Sequence, residues 1–290
     1  LSEPDLRIGF VGAGRLANVL APALARAGYD VAAVASQARE DAEALAERLP
    51  GARAQPTPQA VAEAADLVFL TVPDDAIAAV AGSIRWRPES AAIHCSGAFG
   101  LELLVTPRSQ GAATGSFHPM QTFASNDAEL AGVTVAIEAT GGLLSALNDV
   151  ARALGCRSIE LPPGSKPLYH ASAAFAGNYL VTMLVQAARL WQPFGASETD
   201  ALAALLPLAK TAIANVERLG PAAALTGPIA RGDAGTVRRH LDGLNGAAPD
   251  LAPLYRELGL KTLPLTALSE AEKAELQAIL STSKESESCV

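Results

Sequence analysis

A chain of 290 residues is too long for one compact core of ordinary size and predicts two domains. Half of its residues are hydrophobic and only 18% are charged, which excludes a disordered chain. The net charge of −8 gives an acidic surface that repels nucleic acid and anionic membranes, so neither is expected as a partner.

Along the chain, short β-rich runs alternate with helical patterns. Arg7–Gly12 (RIGFVG) predicts a strand and Arg15–Ala27 a helix. Val31–Ala35 predicts a second strand, followed by a charged helix from Arg39 to Leu49. Asp66–Val72 reads as a buried strand, Asp74–Gly82 as a short helix and Ala91–Cys95 as a strand. Thr114–Phe117 and Val133–Ile137 are further strands, Thr140–Leu154 a helix and Arg157–Leu161 a last strand. Strands alternating with helices imply an α/β domain with a mainly parallel, doubly wound sheet. Pro162-Pro163-Gly164 is punctuation that places a boundary between domains 1–162 and 163–290. The pattern beyond it is all-α. Lys166–Leu190 reads as one long Ala-rich helix, and Ser197–Leu219 as a second with Ser197 as N-cap and Glu198 and Asp200 in its first turn. Thr236–Leu244, Pro249–Leu258 and Ser269–Leu280 supply shorter helices, and Ser281–Val290 reads as a polar tail.

The three cysteines, Cys95, Cys156 and Cys289, form neither a disulfide framework nor a metal-ligand pattern. No metal is expected, and a cytoplasmic location fits. Leu1 to Asp5 does not read as a signal peptide, and no uninterrupted apolar stretch reaches the length of a membrane span.

Gly12-Ala13-Gly14-Arg15-Leu16-Ala17 matches G-x-G-x-x-A directly after a strand and at the start of a helix. In that setting Gly12 permits the tight turn, Gly14 lets a pyrophosphate approach the backbone, and Ala17 keeps the helix close to the sheet. The helix N-terminus then offers N–H donors to the anion. This is the mechanism of a Rossmann dinucleotide site. The end of the second strand reads Ala35-Ser36-Gln37-Ala38-Arg39, with no carboxylate to hold ribose hydroxyls. Ser36 and Arg39 suit a 2′-phosphate, so NADP is expected rather than NAD. Val72 and Pro73, at the carboxyl end of the buried strand, are expected to line the cofactor path, and Asp74 either joins them or caps the next helix.

Two further segments, His94-Cys95-Ser96-Gly97-Ala98 and Ser116-Phe117-His118-Pro119-Met120, fall where such a sheet places substrate-facing loops. Taken with TVPDD (71–75), FHPMQTF (117–123), KPLYHASAAFAGNY (166–179) and LTGPIARGD (225–233), they carry a resemblance that spans essentially the whole chain. The chain resembles the 6-phosphogluconate dehydrogenase-like superfamily, which includes prephenate dehydrogenases, pyrroline-5-carboxylate reductases and β-hydroxyacid dehydrogenases. Within it, the chain looks most like a bacterial family that joins a Rossmann-like domain to a helical C-terminal domain of unknown function.

The resemblance to prephenate dehydrogenases implies that Ser96 and His118 contact the oxygen that is oxidised or reduced and assist proton transfer. The matching region lacks an evident set of carboxylate-binding arginines, which argues against prephenate itself. The β-hydroxyacid dehydrogenases carry Lys-x-x-x-Asn on the interdomain helix; here Lys166 is kept and His170 stands in the place of the Asn. Spacing adds that Lys166 and His170 share a helix face, with Asn178 two turns further along on the same side. A partly desolvated Lys, or a His, can donate a proton near neutral pH. For Arg231 and Asp233 a mutual pairing that fixes their loop is favoured over substrate binding, and Cys95 reads as a small buried residue.

The leading expectation is an NADP-dependent dehydrogenase or reductase acting on a small carbonyl, imine or hydroxy acid between the domains. The helical domain, Ala/Leu-rich with little charge, is expected to form a homodimer. The competing expectations are an NADP(H)-binding sensor without turnover and a deazaflavin-dependent oxidoreductase.

Overall fold

The computed structural model describes residues 6–126 and 128–281. Leu1 to Asp5, and the tail beyond Ser281 with Cys289, lie outside the described residues. The chain divides into two compact units, Leu1–Gly177 and Asn178–Val290.

The first unit is built on one eight-stranded sheet. Its elements in chain order are β1 (Arg7–Val11), α1 (Arg15–Arg26), β2 (Asp30–Ala35), α2 (Arg39–Ala46), β3 (Arg53–Ala54), α3 (Pro58–Ala64), β4 (Leu67–Leu70), α4 (Asp74–Ser83) and β5 (Ala91–His94). A 3₁₀ turn at Leu101–Leu104 leads into α5 (Val105–Ser109), β6 (Ala113–Pro119), β7 (Thr134–Ala139), α6 (Leu143–Ala153), β8 (Arg157–Glu160) and α7 (Lys166–Ala176). The strand order is β3-β2-β1-β4-β5-β6-β7-β8. Strands β3 to β6 run parallel, β7 is antiparallel to β6, and β8 is parallel to β7. The doubly wound, mainly parallel sheet expected from the alternation of elements is present.

Side-chain alternation along the strands divides the core between the two sheet faces. Ile8 and Phe10 on β1 join Leu20, Leu24, Leu45, Phe69 and Leu147 on one side. Val11 joins Val61, Val68, Leu70, Ile77 and Ile84 on the other. Phe10 stacks on Phe69 with centroids 5.4 Å apart, and Phe69 meets Phe117 edge-on at 5.9 Å. Every residue of β4 is buried, because helices cover both faces of this central strand.

The chain runs from β1 outward to β3, then returns to lay β4 on the other side of β1. That reversal is the topological switch point, where an open α/β sheet leaves a crevice beyond its strand ends.

The sequence pattern overlooked β3, α3 and α5. Strand β3 is only two residues long, and α3 begins from Thr57, whose hydroxyl accepts the Ala60 N–H at 3.2 Å, with Pro58 at the first helical position. The helix expected from Thr140 starts at Leu143, after the turn at Gly141 and Gly142.

The expected single helix Lys166–Leu190 is two helices. Helix α7 ends at Ala176; Gly177 takes φ −107 and ψ −74, away from helical values, and α8 (Asn178–Arg189) follows in the second unit. A glycine is the weakest helix former after proline, so the run yields there. The Pro162-Pro163-Gly164 punctuation precedes α7, yet α7 is counted with the sheet unit because its first turn carries Lys166 and Tyr169 onto the sheet's loops.

The second unit continues with α9 (Glu198–Leu219), α10 (Pro221–Ala224), α11 (Ala234–Ala247), α12 (Ala252–Thr262) and α13 (Glu270–Ser281). Val237, Leu241, Leu263, Leu276 and Leu280 form its main core. Ser197 caps α9 as expected, its hydroxyl accepting the Asp200 N–H at 3.1 Å. Asp233 does not pair with Arg231: it caps α11, accepting the Thr236 N–H at 2.9 Å and the Thr236 hydroxyl at 2.7 Å.

Candidate active site

The glycine loop sits at the switch point. Gly12 has φ +106, and a Cβ there would lie 2.6 Å from the Thr71 carbonyl oxygen, so only glycine lets the β1–α1 turn press against the end of β4. Its N–H donates to the Ala35 carbonyl at 2.7 Å, and its own carbonyl accepts from the Thr71 hydroxyl at 2.7 Å. Gly14 is the N-cap of α1 and faces open space, with nothing beyond its own chain neighbours within 4 Å of where a Cβ would stand. No acidic residue occupies the first turn of α1. The helix therefore presents unpaired N–H groups and an unopposed dipole to an anion.

A cleft of about 800 Å³ opens in front of this loop. Gly12, Ala13, Gly14, Ser36, Val72 and Pro73 line it, as expected. Arg15, Leu16 and Ala17 lie behind the loop in α1, and Ala17 is fully buried against the sheet. The two candidates for a 2′-phosphate separate. Ser36 is in the wall, whereas Arg39 is not, and its Nε bonds the Glu43 carboxylate at 2.7 Å on the exposed face of α2. Asp41, not singled out in the sequence, lines the cleft instead.

Asp74 does not line the cleft either. It stands in the first turn of α4, directly after Pro73, and its carboxylate accepts the Ser96 hydroxyl at 2.8 Å. That bond joins the cofactor wall to the loop after β5. Ser96 is 3% exposed, and its oxygen also accepts the N–H groups of Ala98 and Phe99, each at 3.2 Å. The hydroxyl predicted to touch substrate is thus fully engaged in shaping its own loop.

His94 holds the same loop from beneath. Its Nδ1 accepts the Ser96 N–H at 3.2 Å, and its Nε2 lies 2.9 Å from the Gly100 carbonyl, to which it donates. Burial, seconded by the Lys166 charge, pushes its pKa down to about 4, so the ring is neutral at pH 7. Burial pushes the neighbouring Cys95 thiol up to about 12, which leaves it inert.

Lys166 enters from α7. It is 1% exposed, and its Nζ donates to the Ser96 carbonyl at 2.9 Å. Burial lowers its pKa, while Cys95, Glu138, Asp74 and Glu102 oppose the shift. Strand register places Ser116 opposite His94 and Glu138 opposite Ser116, so three strands line up a polar row. Burial raises the Glu138 carboxyl against the pull of Lys166. Sequence reasoning missed Glu138; its one signal was a charge within an otherwise apolar strand (TVAIEA).

His118, near the end of β6, meets α7. Its Nδ1 lies 2.8 Å from the Tyr169 hydroxyl, with the two rings edge to face. His170 approaches the same ring edge-on, centroids 6.2 Å apart. A Cβ on Gly97 would stand 2.7 Å from both His118 Nε2 and His170 Cδ2, so this glycine is what lets the two imidazoles close over the loop. Burial, then the charges of Lys166, His170 and His94, pushes His118 down to about 4. Burial alone pushes Tyr169 up to about 12. The structure thus brings Ser96, His118, Lys166 and His170 together around one loop. Asn178 opens α8 in the second unit.

Residues 1–119 match a Rossmann-like domain, and residues 133–262 match a domain of unknown function, DUF2520. No curated protein matches the chain. Among solved structures, Bacteroides fragilis BF3122, described as a putative NADP oxidoreductase, is 27% identical with a TM-score of 0.73, over 91% of this chain and 100% of that one. Protein TM1727 from Thermotoga maritima is 26% identical with a TM-score of 0.69, over 89% and 96%. The fold extends to 1-pyrroline-5-carboxylate reductase from Streptococcus pyogenes, 16% identical with a TM-score of 0.63, over 93% and 98%. The match to DUF2520 begins within the sheet, at β7, so the two matches do not divide the chain where its two compact units divide.

Proposed function

We propose that this protein is an NADP-dependent oxidoreductase that moves a hydride between nicotinamide and a small carbonyl, imine or hydroxy-acid substrate. One observation carries the reading: the cleft at the switch point has open space at Gly14, unopposed helix amides and no carboxylate at the end of β2. An anionic dinucleotide fits that wall, and the missing carboxylate favours the 2′-phosphorylated form. In this reading Ser36, in the cleft wall, holds the phosphate. Arg39 reaches it by exchanging Glu43, a weak partner on an exposed helix face. BF3122, described as a putative NADP oxidoreductase, supports the choice of cofactor.

The cofactor would supply the hydride, and the protein's own groups do the rest. His118 is the polarising group of the reading: neutral at pH 7, it donates a hydrogen bond to the substrate oxygen or nitrogen from Nε2, which faces the Gly97 loop. Lys166, His94 and Ser96 position that loop. His170, exposed beside His118, supplies a polar edge for substrate. No helix among the described residues is long and apolar enough to cross a membrane. In this reading the protein works in the cytoplasm as a homodimer.

Titration calorimetry of the intact chain tests the cofactor. NADPH binds more tightly than NADH, and absence of binding by both overturns the proposal. NADPH oxidation is then screened against α-keto acids, aldehydes and cyclic imines. Tight NADPH binding without turnover on any of them favours a sensor, the role that the internally bonded Ser96 hydroxyl and Lys166 ammonium would also suit.

A further inference from the structure

Tyr169 is outside every role assigned above, yet among the described residues it makes the one polar contact to the ring of His118. The hydroxyl is 2.8 Å from Nδ1 and 3.4 Å from the carbonyl oxygen of the same residue. A phenol has one proton to give. At 2.8 Å the ring nitrogen is a full hydrogen-bond partner, whereas 3.4 Å is beyond the usual range for an O–H donor. Of the two arrangements open to this contact, the hydroxyl donating to Nδ1 or Nδ1–H donating to the hydroxyl while the phenol proton goes to the carbonyl, the long second leg favours the first. A neutral imidazole whose Nδ1 accepts must carry its proton on Nε2. Nε2 is the atom that faces Gly97 and His170, and it has no hydrogen bond among the described residues.

We propose that Tyr169 is a positioning residue that locks His118 in the Nε2–H tautomer, so that a neutral ring presents a proton at the loop where substrate is handled. The proposal rests on the reading of His118 as the hydrogen-bond donor that polarises substrate. It adds that the donor's readiness is set from α7, by a residue one position before His170. A carbonyl or imine acceptor suits such a donor; a substrate that must lose a proton to the ring in its resting state does not.

The test is long-range proton–nitrogen NMR of the uniformly ¹⁵N-labelled full chain at pH 7.5, without cofactor. The chain has four histidines, and the His118 signals are identified by their loss in His118→Gln. Wild type should show the proton on Nε2. Tyr169→Phe keeps the aromatic packing and removes only the hydroxyl; there the Nε2–H to Nδ1–H ratio should fall about two- to tenfold, the range for losing one neutral hydrogen bond. His170, which lacks this partner, should keep its own ratio. A wild-type proton on Nδ1, or an unchanged ratio in Tyr169→Phe, overturns the proposal. Should the Phe variant not fold, the wild-type tautomer still decides. Because no cofactor is present, failure here leaves NADPH binding untouched, and failure of NADPH binding leaves the tautomer untouched.

Discussion

The two units of this chain use their apolar residues in opposite ways. In the first, β4 is buried at all four positions, and helices on both faces of the sheet close two cores. In the second, α9 runs for 22 residues and buries only Ala201, while Leu208, Ile213 and Val216 stand 68%, 54% and 49% exposed. The buried polar residues follow the same division: His94, Ser96, Ser116 and Lys166 all belong to the first unit. Burial there is complete enough to desolvate functional groups and shift their protonation. The second unit leaves apolar surface unspent, the property of an element that binds something.

The chain carries one tryptophan in each unit, Trp86 and Trp191, so single-tryptophan variants of the full chain report each unit separately. The largest effect is expected from Phe69→Ala. Its ring is fully buried between Phe10 and Phe117, and truncation should cost about 3–5 kcal/mol in urea unfolding followed at Trp86. A cost below about 1 kcal/mol would mean that the sheet core is not close-packed, and the contrast between the units would lose its basis.

Acid gives the next effect. His94 and His118 sit at about 4 in the folded chain against an ordinary 6.5. Between those values the unfolded chain binds more protons than the folded one, so stability falls as pH drops from about 6.5 through about 4. For the fully buried His94 alone the loss is on the order of 3 kcal/mol. The Trp86 transition should move to lower urea between pH 7.5 and pH 5, and the shift should shrink in His94→Asn. The second unit holds neither imidazole, so the Trp191 transition should move less. Equal movement of both would erase the distinction drawn from buried polar groups.

What could be read in the sequence was what is local. The glycine loop lies within six residues of a strand and a helix start, and each of its parts has a fixed mechanical duty, so its place at the switch point followed from the string alone. The wall residues Ser36, Val72 and Pro73 followed from strand ends. Long-range bonds were not legible. Ser96 meets Asp74 across 22 positions, His118 meets Tyr169 across 51, and Lys166 meets the Ser96 carbonyl across 70. Residue types at such separations name candidates but not their partners. Hence Ser96 and Lys166, reactive groups by type, are found bonded to the protein, while nothing in the sequence marks Tyr169 between Lys166 and His170. The break at Gly177 was hidden for a related reason: one glycine in an Ala-rich helical pattern is tolerated as often as it interrupts.

The smallest energetic effect is expected on α9, and it is the sharpest test of what the exposed face is for. Leu208 is too exposed to hold up its own unit, so Leu208→Lys should change the Trp191 transition by less than about 0.5 kcal/mol in dilute protein. If the face pairs two copies, a lysine placed in it must be desolvated on association, at a cost far above what the isolated helix feels. Sedimentation velocity should then find the wild-type chain as a dimer and Leu208→Lys, Ile213→Lys as a monomer at the same concentration. A monomeric wild type overturns the homodimer. A large loss of stability in the dilute double variant would show that these side chains serve the fold of their own unit, and the contrast between a self-sufficient sheet and an outward-facing helical unit would go with it.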